Sequence, residues 1–325
     1  MTRKKISVIG AGNVGATVAQ FLTLKDLGDI YLFDVIPGIP EGKALDIYEG
    51  TPHFGIDAKI KGFTTTSGDA YSNMKGSDVV VITAGLARKP GMSRDDLLFK
   101  NLEIMRDVAN NVKKYAANAI VVIVSNPADI MAYAFQKISG IPPEHIMGLG
   151  GSLDSSRFRT FIADALSVSV EDVNAFVVGG HGDDMVPFIR YSSVGGIPIE
   201  KLLSKEKIDE IVHRTRFGGG EIVDLLKSGS AYYAPGISIT AMVESIVKDK
   251  NRVIPCAAYL SGEHAKHYNV ENVFIGVPIR IGERGVEQIY DIDFNDEEKV
   301  LWEKTVASVR SNCKKVDEFF KSGSN

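Results

Sequence analysis

Along the first 150 residues, short apolar and β-branched runs alternate with longer segments in which apolar residues return every three or four positions. The runs at 6–9, 30–34, 58–64, 79–83, 121–124 and 146–149 predict strands, and the segments 14–25, 41–48, 95–115 and 129–138 predict helices. Several of these strands are apolar at nearly every position rather than at every second one. A strand with that pattern is buried on both faces, as in a parallel sheet covered by helices on each side. The pattern therefore predicts an α/β unit, a doubly wound parallel sheet, over residues 1–149.

Beyond residue 150 the texture changes to α+β. A helix over 152–166 precedes alternating strands at 174–178 and 186–191 and a turn at Gly195 and Gly196. Helices over 205–226 and 240–247, strands at 252–260 and 273–281, and a charged amphipathic helix over 296–320 complete the chain. No internal repeat or low-complexity linker separates the halves, so two units, 1–149 and 150–325, are expected to share one broad interface with a cleft between them.

Composition narrows the function classes. The 325 residues are 44% apolar and 24% charged, typical of an ordinary globular protein. With 37 Lys and Arg against 41 Asp and Glu, the net charge is −4, which speaks against a phosphate-tracking nucleic-acid surface. No run reaches the 18 or so apolar residues of a spanning helix, and the basic start of the chain passes into glycines without an apolar leader, so no membrane partner is expected and the cytoplasm is the simplest address. Cys256 and Cys313 form no C-x-x-C pair, so neither a disulfide framework nor a metal site is indicated.

The chemistry begins at Gly10, Gly12 and Gly15, which have the spacing G-x-G-x-x-G after a predicted strand and at the start of a predicted helix. In that context the first glycine allows a tight turn, the second lets a pyrophosphate approach the backbone, and the third lets helix and strand pack closely. Asp34 ends the second strand 34 − 15 = 19 residues after the last glycine, near the ~20 expected for a carboxylate that takes ribose hydroxyls and repels a 2′-phosphate. The pattern predicts a Rossmann-type dinucleotide site with NAD preferred over NADP, the alternative for Asp34 being an acidic residue that caps a strand.

Polar residues cluster in four further segments, at 88–94, 126, 154–157 and 179–183. His181 stands between Gly180 and Gly182, where a ring that titrates near neutrality is suited to general acid or base work. Asp154 by itself also reads as a cap for the helix that follows Ser152, and Asn126 as a turn residue before Pro127. Ser93 and Asp96 form an S-x-x-D capping pattern, which puts Arg94 at the start of a helix. His264 and His267 read as a solvated helix face rather than a metal pair.

Together and in order, the glycine fingerprint with Asp34, the loop from Arg88 to Arg94, Ser125-Asn126-Pro127, Leu153 to Arg157 and Gly180 to Asp183 make the chain resemble the L-lactate and malate dehydrogenase family. The resemblance spans nearly the whole length and is to the lactate-dehydrogenase-like malate dehydrogenase branch. It implies that His181 exchanges a proton with the substrate oxygen while Asp154 holds its tautomer, that Arg157 grips the C1 carboxylate, and that Arg94 polarises the reacting carbonyl. Asn126 would bond the substrate oxygen and help align the nicotinamide. Arg88 is at a position commonly glutamine in lactate enzymes and arginine in malate enzymes, so a dicarboxylate is the expected substrate, with Ala231 leaving room on the opposite wall. The same resemblance implies cofactor contacts from Asn13, Val14, Thr83, Ala84, Gly85, Asn101, Val124 and Asn126 beside Gly10, Gly12, Gly15 and Asp34. It also implies a homodimer or homotetramer. The rival readings are a lactate dehydrogenase or broader 2-keto acid reductase and, outside enzymes, a protein that keeps the fold for NAD binding alone.

Overall fold

The structure, a computed structural model, describes residues 3–86 and 93–322. In chain order the first half reads β1 (Lys5–Ile9), α1 (Asn13–Leu24), β2 (Asp29–Asp34), α2 (Ile39–Gly50), β3 (Ile60–Thr64), β4 (Val79–Ile82), α3 (Arg94–Tyr115), β5 (Ile120–Ile123), α4 (Ala128–Ser139) and β6 (Ile146–Gly148). All six strands run parallel in the order 6-5-4-1-2-3, so the chain reverses its direction of winding between β1 and β4. β4 and β5 are buried at every position, as their unbroken Val and Ile runs require of strands covered on both faces. The carboxyl ends of β1 and β4 flank the switch point, where a doubly wound sheet opens a crevice for ligands.

The second half contains α5 (Gly151–Leu166), β7 (Val173–Asn174), β8 (Val177–Val178), β9 (Val186–Pro187), β10 (Ser193–Val194), β11 (Ile197–Pro198), α6 (Lys205–Leu226), α7 (Tyr233–Val247), β12 (Arg252–Leu260), α8 (Gly262–His267), β13 (Val273–Gly282), β14 (Gly285–Ile289) and α9 (Asp296–Ser322). The sheet runs on across the joint between the halves: β12 pairs antiparallel with β6 through Ala257 and Gly148, and β13 and β14 extend it to nine strands. One apolar core accordingly includes residues of both halves, from Ile6 to Val316, while a smaller cluster around Phe158, Ile162 and Ile208 joins α5 to α6.

Where elements differ from the sequence reading, the causes are local. The run at 174–178 breaks in two because Val173–Asn174 pairs with β10 while Val177–Val178 pairs with β9, so the chain changes sheets between them. The run at 186–191 keeps only two strand residues before a 3₁₀ turn over Ile189–Tyr191, where Phe176, Phe188 and Tyr191 pack ring against ring. α7 starts at Tyr233 rather than 240, since Pro235 falls in its first turn, where a missing N–H costs nothing. Short elements such as α8 and β14 have too few residues to show a period.

Candidate active site

At the dinucleotide end the three glycines have separate physical reasons. Gly10 adopts φ +103°, and a Cβ there would lie 2.7 Å from the Ala84 nitrogen; a Cβ on Gly15 would lie 1.8 Å from the Gly10 carbonyl oxygen. Only glycine lets α1 seat this closely on the β1 turn. A Cβ on Gly12 would meet nothing within 4 Å, so that residue opens its backbone to the crevice. Gly12 is also the N-cap of α1 and makes no side-chain cap, which leaves the helix N–H groups for a ligand.

Asp34, at the end of β2, accepts hydrogen bonds from the Ala11 N–H (2.6 Å) and the Ile36 N–H (3.0 Å). Lys43 on α2, not singled out from the sequence, donates to the Ala11 carbonyl at 2.7 Å, so carboxylate and ammonium meet on one backbone residue. A crevice of about 430 Å³ is lined by Gly12, Asn13, Val14, Gly15, Thr83, Gly85, Val124, Asn126, His181 and Ala231. Thr83 donates to the Gly10 carbonyl at 2.9 Å, and Ser125 to that of Ala84. Asn101 is buried; its amide accepts from the Leu86 N–H (2.8 Å) and donates to the Asn126 carbonyl (2.9 Å), joining the ends of two strands rather than facing open space. An exposed pyrophosphate cradle, free helix N–H groups and a carboxylate at the ribose position fit NAD.

The substrate end is built on α5. Asp154, in its first turn, is 1% exposed and caps nothing. One carboxylate oxygen lies 2.8 Å from His181 Nδ1 and the other 3.4 Å from an Arg157 nitrogen one turn along the helix. The Nδ1 contact leaves His181 Nε2 facing the crevice, and among the described residues it has no hydrogen bond. The loop bearing the ring is fixed from three sides. Gly179 exchanges backbone hydrogen bonds with Gly276 of β13, the Gly180 N–H donates to Thr305 of α9 at 2.8 Å, and the His181 N–H donates to Asp129 of α4 at 2.8 Å.

Asp129 escaped the sequence reading, although its place three residues after Asn126, in the first turn of a helix, brings a carboxyl to the same strand end. It is buried, and its second oxygen is unpartnered. The charge of Asp154 raises the His181 pKa to about 9 against the opposing effect of burial, with the Asp154 hydrogen bond and the Asp129 charge adding to it. Burial in turn lifts the Asp129 carboxyl to about 6, partly offset by the His181 N–H and ring. The ring is therefore cationic at neutral pH, ready to give a proton through Nε2.

Arg157 is 12% exposed and also donates to the Thr215 carbonyl of α6 at 3.2 Å. Its guanidinium lines a cavity of about 700 Å³ that shares His181 with the dinucleotide crevice. Imidazole and guanidinium thus border one space, the arrangement needed to bind a carboxylate beside a carbonyl. Ser93 caps α3, accepting from the Asp96 N–H at 3.0 Å while Asp96 accepts in return, and so sets Arg94 as the first helical residue. Arg88 and the Arg94 side chain lie outside the described residues.

Residues 4–148 match the family model of the lactate/malate dehydrogenase NAD binding domain, and residues 151–320 that of the lactate/malate dehydrogenase alpha/beta C-terminal domain. The chain belongs to the lactate/malate dehydrogenase family. It is 74% identical over 321 residues to the malate dehydrogenase of Thermoplasma volcanium, covering 99% of each chain. The malate dehydrogenase of Picrophilus torridus, solved in its apo form, is 67% identical and superposes with a TM-score of 0.97 over 99% of both chains. From Cryptosporidium parvum, a malate dehydrogenase (46% identical, 98% of this chain and 100% of that one) and a lactate dehydrogenase complexed with lactic acid and cofactor (43%, 98% and 99%) superpose at 0.92 and 0.91. Backbone shape does not separate the two substrates.

Two outcomes follow for the site. Asp34→Ser should narrow the preference for NADH over NADPH, chiefly by lowering the KM for NADPH, because like charge is removed while Lys43 stays; an unchanged ratio of kcat/KM values contradicts the assignment. Asp129→Asn should move the alkaline fall in oxaloacetate kcat/KM, expected near pH 9 in the wild type, to lower pH, since one anion beside the imidazolium is lost. A pH profile with its midpoint unmoved excludes that coupling.

Proposed function

We propose that the chain catalyses reversible hydride transfer between (S)-malate and NAD, giving oxaloacetate and NADH. Full-length identity to malate dehydrogenases, joined to a cationic imidazole and a guanidinium bordering one cavity, carries this reading. The nicotinamide, when bound, supplies or accepts the hydride at C2. The chain's residues do the rest.

Toward malate, His181 gives its Nε2 proton to the oxygen of the reacting carbonyl as C2 is reduced, and Asp154 keeps Nδ1 protonated and the ring in plane with that oxygen. In the reverse direction the neutral ring takes the hydroxyl proton, so malate oxidation gains as pH rises toward about 9. Arg157 holds the C1 carboxylate by a planar two-pronged contact that lysine does not reproduce. Asn126, exposed at the end of β5, donates to the substrate oxygen, and Arg94 polarises the same carbonyl from the start of α3. Arg88 takes the second carboxylate. Gly10, Gly12, Asn13, Val14, Gly15, Thr83, Ala84, Gly85 and Val124 shape the dinucleotide crevice, with Asp34 on the ribose and Asn101 tying the loop ends around it.

Two units, 1–149 and 150–325, divide this work, the first binding cofactor and the second supplying Asp154, Arg157 and His181. A homo-oligomer, dimer or tetramer, is supported by large apolar side chains open to solvent on neighbouring elements, among them Tyr48, Phe54, Tyr233 and Val253. A reducing compartment such as the cytoplasm suits two free, buried thiols. Among the described residues no helix is long and apolar enough to cross a membrane.

Initial rates with oxaloacetate and pyruvate, each with NADH and NADPH, test the reading; oxaloacetate with NADH should have the highest kcat/KM, and preference for pyruvate overturns it. Arg88→Gln should cut oxaloacetate efficiency by about tenfold to a hundredfold, the worth of roughly 1.5–3 kcal/mol for a hydrogen bond to a charged group. Pyruvate efficiency should rise, by a smaller factor, because its methyl gives a guanidinium no second carboxylate to pair with, and glutamine removes that mismatch of charge. Equal losses with both substrates would reduce Arg88 to a loop-shaping role.

A further inference from the structure

α6 contains three consecutive glycines, Gly218, Gly219 and Gly220, in its interior. Each is less favourable in a helix interior than alanine, which loses less backbone freedom on folding. None has a positive φ, so the backbone conformation does not call for glycine at any of them. Their surroundings differ in a graded way. A Cβ on Gly220 would meet nothing within 4 Å, and one on Gly219 would meet only Arg157 Nη2, at an ordinary 3.8 Å. A Cβ on Gly218 would lie 2.5 Å from Arg157 Cδ, 2.9 Å from Nε and 3.5 Å from Cζ.

These distances describe a slot. The Arg157 side chain leaves α5, crosses the face of α6 over Gly218, and ends with a guanidinium nitrogen on the carbonyl of Thr215, one turn back on the same face. Thr215 and Gly218 are both buried, so the stem lies between the two helices. α6 is firmly held just ahead of the glycines: Arg216 donates to the Met185 carbonyl at 3.2 Å, and Arg214 lies over the Phe161 ring. Arg214 also pairs through two nitrogens with Glu221, bracing the helix across the glycines. The slot wall therefore has little room to retreat from an added methyl. What yields is the arginine, toward the adjoining cavity of about 700 Å³.

We propose that Gly218 is a positioning residue for substrate binding: its missing side chain forms the slot that lays Arg157 against α6 and aims its guanidinium at the substrate carboxylate. The proposal rests on the reading of Arg157 as the carboxylate ligand. A methyl at 218 would displace Cδ and Nε and break the alignment of both prongs, whereas a methyl at 220 would touch nothing.

Steady-state kinetics, NADH titration and thermal melting of Gly218→Ala, Gly220→Ala, Arg157→Ala and the double variant G218A/R157A test it. Gly218→Ala should raise the KM for oxaloacetate tenfold or more, change kcat by less, and leave the Kd for NADH and the Tm at or near wild type, because alanine favours the helix while the arginine moves. Gly220→Ala should keep the wild-type KM within twofold. In the Arg157→Ala background, adding Gly218→Ala should change KM no further, as expected of two residues acting through one contact. A wild-type KM for Gly218→Ala, beside a raised one for Arg157→Ala, overturns the slot alone. A wild-type KM for Arg157→Ala overturns the carboxylate-ligand reading and the slot with it. Equal rises for Gly218→Ala and Gly220→Ala, or weakened NADH binding with a lowered Tm, assign the glycines to general helix structure and also overturn the proposal.

Discussion

The buried carboxylate of Asp154 is the constraint on which the site depends. At 1% exposure it is withdrawn from bulk solvent, and its charge is compensated by cations of the chain itself. One faces His181 and the other Arg157, and both partners border the space where substrate would lie. Asp154 is thus the main anion acting on the imidazole, with Asp129 adding to it, and the same carboxylate pairs with the Arg157 guanidinium. Because Asp154 and Arg157 are one turn apart on α5, the helix fixes their relation, and the rest of the fold has only to bring the imidazole to them.

Bringing it there draws on both halves. The loop of His181 hangs from β13 through Gly179 and Gly276, from α9 through Thr305, and from α4 through Asp129. α4 begins at the carboxyl end of β5, beside the dinucleotide crevice, so the Asp129 contact ties the histidine loop to the end of the parallel sheet. The sheet continues from β6 into β12 through Gly148 and Ala257, so the cofactor-side strands and the strand neighbouring the histidine loop belong to one hydrogen-bonded surface.

Much of this was legible in the sequence for physical reasons. Strands buried on both faces leave unbroken Val and Ile runs, and β12 and α6 have the bounds that their patterns predict. The glycine fingerprint and Asp34 were readable because a tight turn, close helix packing and ribose binding each demand one residue type at a fixed spacing. The flanking Gly180 and Gly182 singled out His181, whereas Asp154, by spacing alone a helix cap, drew its role from the resemblance. Asp129, Lys43 and Gly218 were not legible, because each acts through a contact made in space: a backbone N–H 52 residues away, a shared turn residue, and a side chain from another helix. The two strand fragments near 174 and 178 were read as one, since a switch between sheets leaves the apolar pattern intact.

The charge of Asp154 is the main force holding the His181 ring in its cationic state. The titration of the His181 imidazole, followed by NMR in the wild type and in Asp154→Asn, tests this most directly. The wild-type midpoint should lie near 9, and that of the variant should fall to the ordinary histidine range of about 6.5 or below it, as burial then acts with less opposition. Coincident midpoints in the two proteins would contradict the account.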